Sequence, residues 1–268
     1  MNNRLITTVV MCAVTGGVLC RAQEAPANKG QQQPASPAAA GIQSTMNATV
    51  PKPSPPPKPD IEGLKKKAEA GDLVAANQLG DLMAIGTAGY RNLAGAFKWY
   101  SKAAEAGDAR AQTKLALMYE GGFGVARDMK QAVSWYQKAA EQNGADAMMQ
   151  LANILEHGVP DEIPADPAAA FKWRLKAASL GMATAQLLVA SAYADGIEGV
   201  VQRDGTQALK WYRAAAEKGD ADAIFMMGMM YEEGKGVPLN KTEAMKLYEE
   251  AAQKGSAAAR YALRRMKQ

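Results

Sequence analysis

Thiols and imidazoles are scarce in this chain of 268 residues, which contains two cysteines and one histidine. Both cysteines, Cys12 and Cys20, lie within the first 22 residues. Removal of that segment, which we argue for below, leaves neither a disulfide framework nor a cysteine metal site. The lone His157 has no second imidazole with which to share a metal ion. We therefore expect no bound metal and no cofactor.

The motifs of common catalytic sites are also missing. None of the eight serines begins a Ser-x-x-Lys sequence, the arrangement of penicillin-recognising nucleophiles. The chain contains no His-Glu-x-x-His, no Gly-x-x-x-x-Gly-Lys and no Gly-x-Gly-x-x-Gly. Carboxylate pairs such as Glu232 and Glu233 leave an acid pair of the glycosidase kind open, although solvated charge is the commoner role. The sequence favours a protein that is not an enzyme.

A large excess of one charge is absent as well. The net charge is +4, and removal of Arg4 and Arg21 would lower it by two. A balance this small gives no reason to expect nucleic acid or an anionic membrane as a partner. Aromatic residues make up only 6% of the chain, whereas alanine, methionine and glycine are abundant. That composition favours closely packed helices over sheets.

The N-terminal region has the composition of a secretory signal followed by a spacer. Residues 5–19 are apolar apart from threonine and glycine, and small residues at Cys20 and Ala22 suit a signal peptidase. We expect residues 1–22 to be cleaved, no membrane insertion afterwards and a periplasmic or secreted location; an uncleaved anchor is the alternative. Nine of the 13 prolines fall between residues 24 and 60. Because proline stops helix and sheet from propagating, residues 23–60 are predicted to be a disordered linker.

Residues 61–268 repeat one pattern every 36 to 38 residues. A large apolar residue marks each unit, at Trp99, Trp135, Trp173, Trp211 and Leu247. An alanine pair follows each marker, and three residues later comes a turn residue, which is Gly107, Asn143, Gly181, Gly219 or Gly255. The alanines let two helices approach closely, with the marker on the same helix face. Glycine or asparagine tolerates the left-handed conformation that ends a helix.

Each unit is predicted to contain two helices, which we call A and B. Fifteen residues after each turn residue a second glycine ends helix A, at Gly86, Gly122, Gly158, Gly196 and Gly234. An Asn or Asp then caps helix B, at Asn92, Asp128, Asp166, Asp204 and Asn240. One helix pair cannot bury its apolar face alone, so the units must stack. A lone B helix from Ile61 and a lone A helix from Ser256 would cover the two ends.

These units resemble the Sel-one-like repeat family, relatives of the tetratricopeptide repeats. The residues that carry the resemblance are 107–119, 122–125 and 132–140 and their counterparts in the other units. The resemblance implies an all-α, right-handed α-solenoid of about five helix-turn-helix repeats with half-repeat caps at both ends. It also implies adaptor or scaffold work on a protein or peptide partner, without naming one. The third repeat departs from the pattern, because its loop at 159–167 carries prolines and is two residues longer than the second repeat's.

The face of each A helix turned away from the predicted core lies six, seven and ten residues after the turn residue. We call these positions the A-helix stripe. In the first repeat the stripe is polar, at Asn77, Gln78 and Asp81. In the last two repeats it is mostly apolar, at Leu187, Leu188, Ser191, Phe225, Met226 and Met229. Met227 and Met230 fall on the other side of their helix and are predicted to be core.

In related solenoids the A helices line the concave face. We therefore predict that a helix or an extended segment of a partner docks against the apolar part of the stripe, which is Leu187, Leu188, Phe225, Met226 and Met229. The alternative is that superhelical curvature buries these side chains against the neighbouring repeat. The favoured function is a non-catalytic interaction scaffold of the bacterial cell envelope or a secreted one. The alternative function is an envelope hydrolase acting on peptidoglycan or β-lactams.

Overall fold

The computed structural model describes residues 60–86 and 91–266, and this part of the chain forms twelve α-helices. They are α1 Ile61–Glu69, α2 Leu73–Ile85, α3 Leu93–Glu105, α4 Ala109–Gly121, α5 Met129–Glu141, α6 Ala145–His157, α7 Pro167–Ser179, α8 Ala183–Asp195, α9 Gly205–Ala216, α10 Ala221–Glu233, α11 Lys241–Gln253 and α12 Ala257–Met266. The predicted signal segment 1–22 lies outside the described residues, and so does the linker except for its last residue. No helix within 60–86 and 91–266 is long and apolar enough to cross a bilayer.

The helices stack in chain order as five pairs with a single helix at each end. The A helices are α2, α4, α6, α8 and α10, and the B helices are α3, α5, α7, α9 and α11. Each helix packs mainly on the helix before it and the helix after it. The single helices α1 and α12 cover the first and last pairs. The predicted all-α solenoid of five repeats with half-repeat caps is confirmed.

Helix boundaries follow the predicted caps. All five predicted Asn and Asp residues are N-caps of B helices, and each side chain accepts a backbone N–H of the first turn. In α5, for example, Asp128 Oδ1 accepts from the amide of Gln131 at 2.9 Å. At the other end of this helix Asn143 has a φ of 67°, the left-handed conformation expected of a turn residue. Local side-chain chemistry therefore sets the ends of the B helices.

The marker tryptophans are less buried than the sequence pattern indicated. Trp135 is half-buried, whereas the next residue, Tyr136, is fully buried. One step along a helix turns a side chain by about 100°, so Tyr136 shares the inward face with Ala132, four residues earlier. The ring of Trp135 instead covers the junction between repeats, where it packs against two core clusters. The core residue next to each marker is Tyr100, Tyr136, Arg174, Tyr212 or Tyr248.

The loops of the third and fourth repeats each contain an isolated antiparallel bridge. Val159 pairs with Ile163 in the third repeat, and Ile197 pairs with Val201 in the fourth. The sequence analysis singled out only the third loop, because prolines drew attention to it. Both loops connect helix A to helix B in a repeat of 38 residues, and in both the two extra residues are accommodated by a loop with one such bridge. Neither loop changes the stacking of the helices.

Candidate functional site

The first repeat's part of the A-helix stripe is a polar network. Asp81 Oδ1 lies 2.5 Å from the ammonium of Lys114 in the next A helix and accepts the Tyr100 hydroxyl at 2.6 Å. Asn77 was predicted to face away from the core, but only 5% of it is exposed. It is buried because its amide nitrogen donates to Oδ1 of Asp108, the N-cap of the next A helix, at 3.0 Å. Inter-repeat hydrogen bonding thus draws one stripe position inward.

The predicted docking residues lie at the edge of the core and remain partly exposed. All five of them, Leu187, Leu188, Phe225, Met226 and Met229, are half-buried. Leu187 and Met226 pack against the cluster around Tyr212, and Phe225 and Met229 pack against the cluster around Tyr248. Met227 and Met230 are buried, which confirms them as core. The apolar part of the stripe therefore supports the core with one side and offers apolar surface with the other.

Leu188 differs from the other four docking residues. Its side chain is half-buried, but it does not pack against any of the four buried clusters of the described residues. It lies seven residues after the turn residue, the position held by Gln150 in the third repeat and by Lys114 in the second. Among the five docking residues, Leu188 is consequently the one whose replacement disturbs the core least.

In four of the five repeats, the buried residue after the marker forms a polar pair with the A helix of its own repeat. The pairs are Tyr100 with Asp81 at 2.6 Å, Tyr136 with Glu120 at 2.7 Å, Arg174 with Glu156 at 2.6 Å, and Tyr248 with Glu232 at 2.6 Å. Burial of the ring, and then the carboxylate beside it, raises the pKa of Tyr136 well above its usual range. The carboxylate is an acceptor only, so each hydroxyl is held as a donor. The sequence analysis missed these pairs, although the phase of the repeat would have brought the residues together.

Arginine replaces tyrosine in the third pair. Arg174 is 9% exposed, and its Nη1 donates to Glu156 Oε1 at 2.6 Å while Nη2 donates to Asn153 Oδ1 at 3.2 Å. The hydrogen bond from this guanidinium holds the pKa of Glu156 below its usual range. His157 follows on the surface with 74% of its side chain exposed. The carboxylate next to the chain's only histidine is therefore already engaged with an arginine.

The polar pair of the fourth repeat is incomplete. Three repeats place Glu thirteen residues after the turn residue, and the first places Asp81 ten residues after it; the fourth has Ala194 and Ser191 at these positions. Tyr212 is only 1% exposed, and its hydroxyl oxygen is buried without a hydrogen-bond partner. Burial raises the pKa of Tyr212 to about 12. Ser191 is near enough to influence that pKa, yet no hydrogen bond of acceptable geometry joins the two hydroxyls.

The next feature is the arrangement of possible metal ligands in the described residues. Residues 60–86 and 91–266 contain no group of three or more His, Cys, Asp or Glu side chains arranged to hold a metal ion. Four carboxylates of the A helices, Asp81, Glu120, Glu156 and Glu232, each accept a hydrogen bond from a buried tyrosine or arginine. What the site offers is an apolar surface beside a row of hydrogen-bonding groups.

Comparison with known proteins identifies the repeat. The Sel1 repeat family model matches residues 73–108, 109–144, 145–182, 183–220 and 221–256, which are the five helix pairs. The chain is similar to a Sel1 repeat protein from Oxalobacter formigenes, with 36% identity and a TM-score of 0.65 over 77% of this chain and 58% of that one. It is also similar to c5321, a protective antigen of uropathogenic Escherichia coli strains that displays an SLR fold, with 31% identity and a TM-score of 0.54 over 76% of this chain and 50% of that one. The chain thus spans only 50% to 58% of the length of these two structures. No curated protein matches it.

Proposed function

This chain belongs to the Sel1 repeat family, whose members are commonly protein-interaction scaffolds, and from that premise we propose that it binds a partner protein at the apolar part of the A-helix stripe. The scaffold is non-catalytic, and the bound element is a helix or an extended segment. The N-terminal composition, with its short apolar run and small residues before Gln23, supports a periplasmic or secreted location. In that location the partner would belong to the cell envelope or to the secreted proteins.

The observation that carries this proposal is the partly exposed apolar surface at the C-terminal end of the stripe. Five apolar side chains of α8 and α10 are half-buried there, whereas the first repeat has Asp81 paired with Lys114 in the same region of its A helix. Adjacent exposed apolar side chains mark interaction surfaces, because water contact with them is unfavourable until a partner covers them. Methionines at two of the five positions suit such a surface, since their unbranched side chains adapt to different shapes.

The test is capture of partners from a bacterial envelope extract with the full chain as bait. Leu188→Glu introduces a charge into the apolar surface at the residue that contributes least to the core. Gln150→Glu is the matched control, because it introduces the same charge at the same position of the third repeat. We expect a protein that is retained by the wild type and by Gln150→Glu and is lost by Leu188→Glu. Melting temperatures of the three proteins establish that each is folded.

The same preparation tests the hydrolase alternative. Nitrocefin turnover and release of soluble fragments from peptidoglycan report the two activities. We expect neither activity, because the side chain of Glu156 is engaged with Arg174 and His157 lies on the open surface. Turnover that co-purifies with the folded chain and disappears in His157→Ala would overturn the non-catalytic proposal.

A further inference from the structure

The incomplete polar pair lies in the same part of the molecule as the apolar docking surface. Tyr212 belongs to the buried cluster against which Leu187 and Met226 pack, and Ala194 packs against that cluster too. In the other four repeats the corresponding buried polar side chain reaches a carboxylate of its own A helix. Among the buried residues that follow the markers in the described repeats, Tyr212 is therefore the one whose donor lacks a carboxylate acceptor, and it lies beside the proposed docking surface.

A buried hydroxyl without an acceptor is unfavourable, because it gave up hydrogen bonds to water and gained none in return. Such groups are rare in folded proteins, and each one calls for a structural or functional reason. Here the acceptor is missing because the fourth repeat has Ala194 in place of the Glu of three repeats and Ser191 in place of the first repeat's Asp81. The side chain that would have accepted the hydrogen bond is missing, and the alanine occupies less volume next to the ring.

The surroundings of Tyr212 indicate which acceptor would fit. In the first repeat the pair is supported by Lys114 from the next A helix, and in the fifth it is supported by Arg265. The corresponding positions of the next A helix are Met226 and Met229 beside the fourth pair, so the surface that a partner would cover there is apolar. Burying an unpaired charge is far more costly than burying a neutral group that is hydrogen-bonded. The site therefore suits a neutral oxygen.

We propose that the Tyr212 hydroxyl donates a hydrogen bond to a neutral oxygen of the bound partner, a backbone carbonyl or a side-chain amide, within an uncharged apolar segment lying over Leu188, Met226 and Met229. This inference rests on the scaffold proposal above and specifies the partner's chemistry. Met226 packs against the cluster that contains Tyr212, and a change of rotamer of its unbranched thioether side chain would open a path to the hydroxyl. The partner's oxygen then takes the place that a glutamate of the chain itself has in three other repeats.

Two substitutions separate this role from a structural one. Ala194→Glu gives the fourth repeat the acceptor of the second, third and fifth repeats. The Tyr212 hydroxyl then donates to this glutamate and is no longer free to donate to the partner. Tyr212→Phe removes the donor and leaves the ring. The matched controls are Ala84→Glu, at the same position of the first repeat, and Tyr136→Phe, at a pair that is already complete.

The probe is a displayed library of random 12-residue peptides, selected on the immobilised full chain. Enriched peptides are then synthesised, and their affinities for each variant are measured by fluorescence anisotropy. We expect enriched peptides to be apolar and without charge. Their binding should be roughly three- to tenfold weaker to Tyr212→Phe, the range for one hydrogen bond, and weaker still to Ala194→Glu. Both control variants should bind as the wild type does.

Three outcomes would overturn the inference in distinguishable ways. Peptides that lose affinity for Leu188→Glu but bind Ala194→Glu and Tyr212→Phe as tightly as the wild type would refute the role of Tyr212 and leave the scaffold proposal standing. Peptides whose binding requires an acidic or basic side chain would refute the neutral acceptor. Failure to enrich any peptide that depends on Leu188 would count against both proposals. If Ala194→Glu does not fold, Tyr212→Phe alone decides, since removing an unpaired hydroxyl should not unfold the protein.

Discussion

At the scale of single residues, the same type of side chain at the same repeat position makes different hydrogen bonds in different repeats. Tyr136 and Tyr212 are both almost fully buried, but only Tyr136 has a hydrogen-bond partner, Glu120. The repeat pattern alone predicts equal roles for the two tyrosines. The structure makes them unequal through the A-helix residue opposite each ring.

Tyr136→Phe should lower the free energy of unfolding by about 1–2 kcal/mol, because it removes a hydrogen bond to a charged acceptor. Tyr212→Phe should change it by less than about 0.5 kcal/mol or stabilise the protein, since no hydrogen bond is lost. Urea denaturation followed by circular dichroism measures both changes. Equal losses would show that Tyr212 has an acceptor after all, such as Ser191.

The Arg174 and Glu156 pair is expected to respond asymmetrically to loss of either partner. Glu156→Ala leaves a buried guanidinium with only Asn153 as a partner and should cost about 3 kcal/mol. Arg174→Met leaves a half-buried carboxylate next to solvent and places an apolar side chain in the core, so the change should stay within about 1 kcal/mol. Chemical denaturation at pH 7 compares the two variants. A larger loss for Arg174→Met would contradict this account.

The same pair predicts a specific pH dependence. The folded-state pKa of Glu156 is lowered by Arg174, so its contribution to stability is fully present above the ordinary glutamate pKa of about 4.3. It is lost as the pH falls through the lowered pKa, because protonation removes the ion pair. The free energy of unfolding of the wild type should therefore exceed that of Arg174→Tyr by less at pH 3 than at pH 7, as measured by denaturation curves at the two pH values. An unchanged difference would mean that Glu156 is not part of the acid response.

At the scale of secondary-structure elements, sequence reasoning succeeded where the cause is local. Asp128 begins α5 and Asn143 ends its turn because each acts on backbone groups within a few residues. It failed where the cause lies in another helix. Asn77 is buried because it donates a hydrogen bond to Asp108, the N-cap of the next A helix, and Trp135 is displaced outward because its ring covers the junction between repeats.

Asn143 gives a direct test of the local argument. Asn143→Ala should cost about 1 kcal/mol, because a Cβ without a polar side chain is disfavoured at a φ of 67°. Asn143→Gly should be neutral or slightly stabilising, since glycine is the residue at this position in the other repeats. Thermal melting of the two variants decides the matter. Equal melting temperatures would show that the turn is held by packing instead.

At the scale of the whole molecule, the repeat made the fold predictable and concealed the candidate site. Five similar units define the helix pairs and the stacking, so the architecture follows from one unit. The site depends on residues that differ from the repeat pattern, such as Ala194 and Arg174. A pattern built from what the repeats share does not reveal them. The stripe residues Leu187 and Phe225 were predicted as a surface from periodicity. Their partial packing against the core required the neighbouring helices to be seen.

Stacking also predicts a gradient of stability along the described helices. Each repeat is held by its neighbours, and among the described helices α1 and α12 pack on one neighbour each, whereas α5 to α8 pack on two. Backbone amides of α1 and α12 should exchange with deuterium fastest, and those of the central helices should exchange slowest. Hydrogen exchange measured by mass spectrometry gives the profile. Uniform protection from end to end would mean that the chain opens as one unit.

The packing of consecutive helices has a consequence for how the chain acquires its structure. The extensive contacts all join helices that are neighbours in the chain, so few residues must be brought together from distant positions. Proteins of low contact order fold quickly, because little loop entropy is lost before native contacts form. Helix pairs can therefore assemble one after another as the polypeptide emerges. A nascent intermediate would expose only the apolar edge of its newest helix.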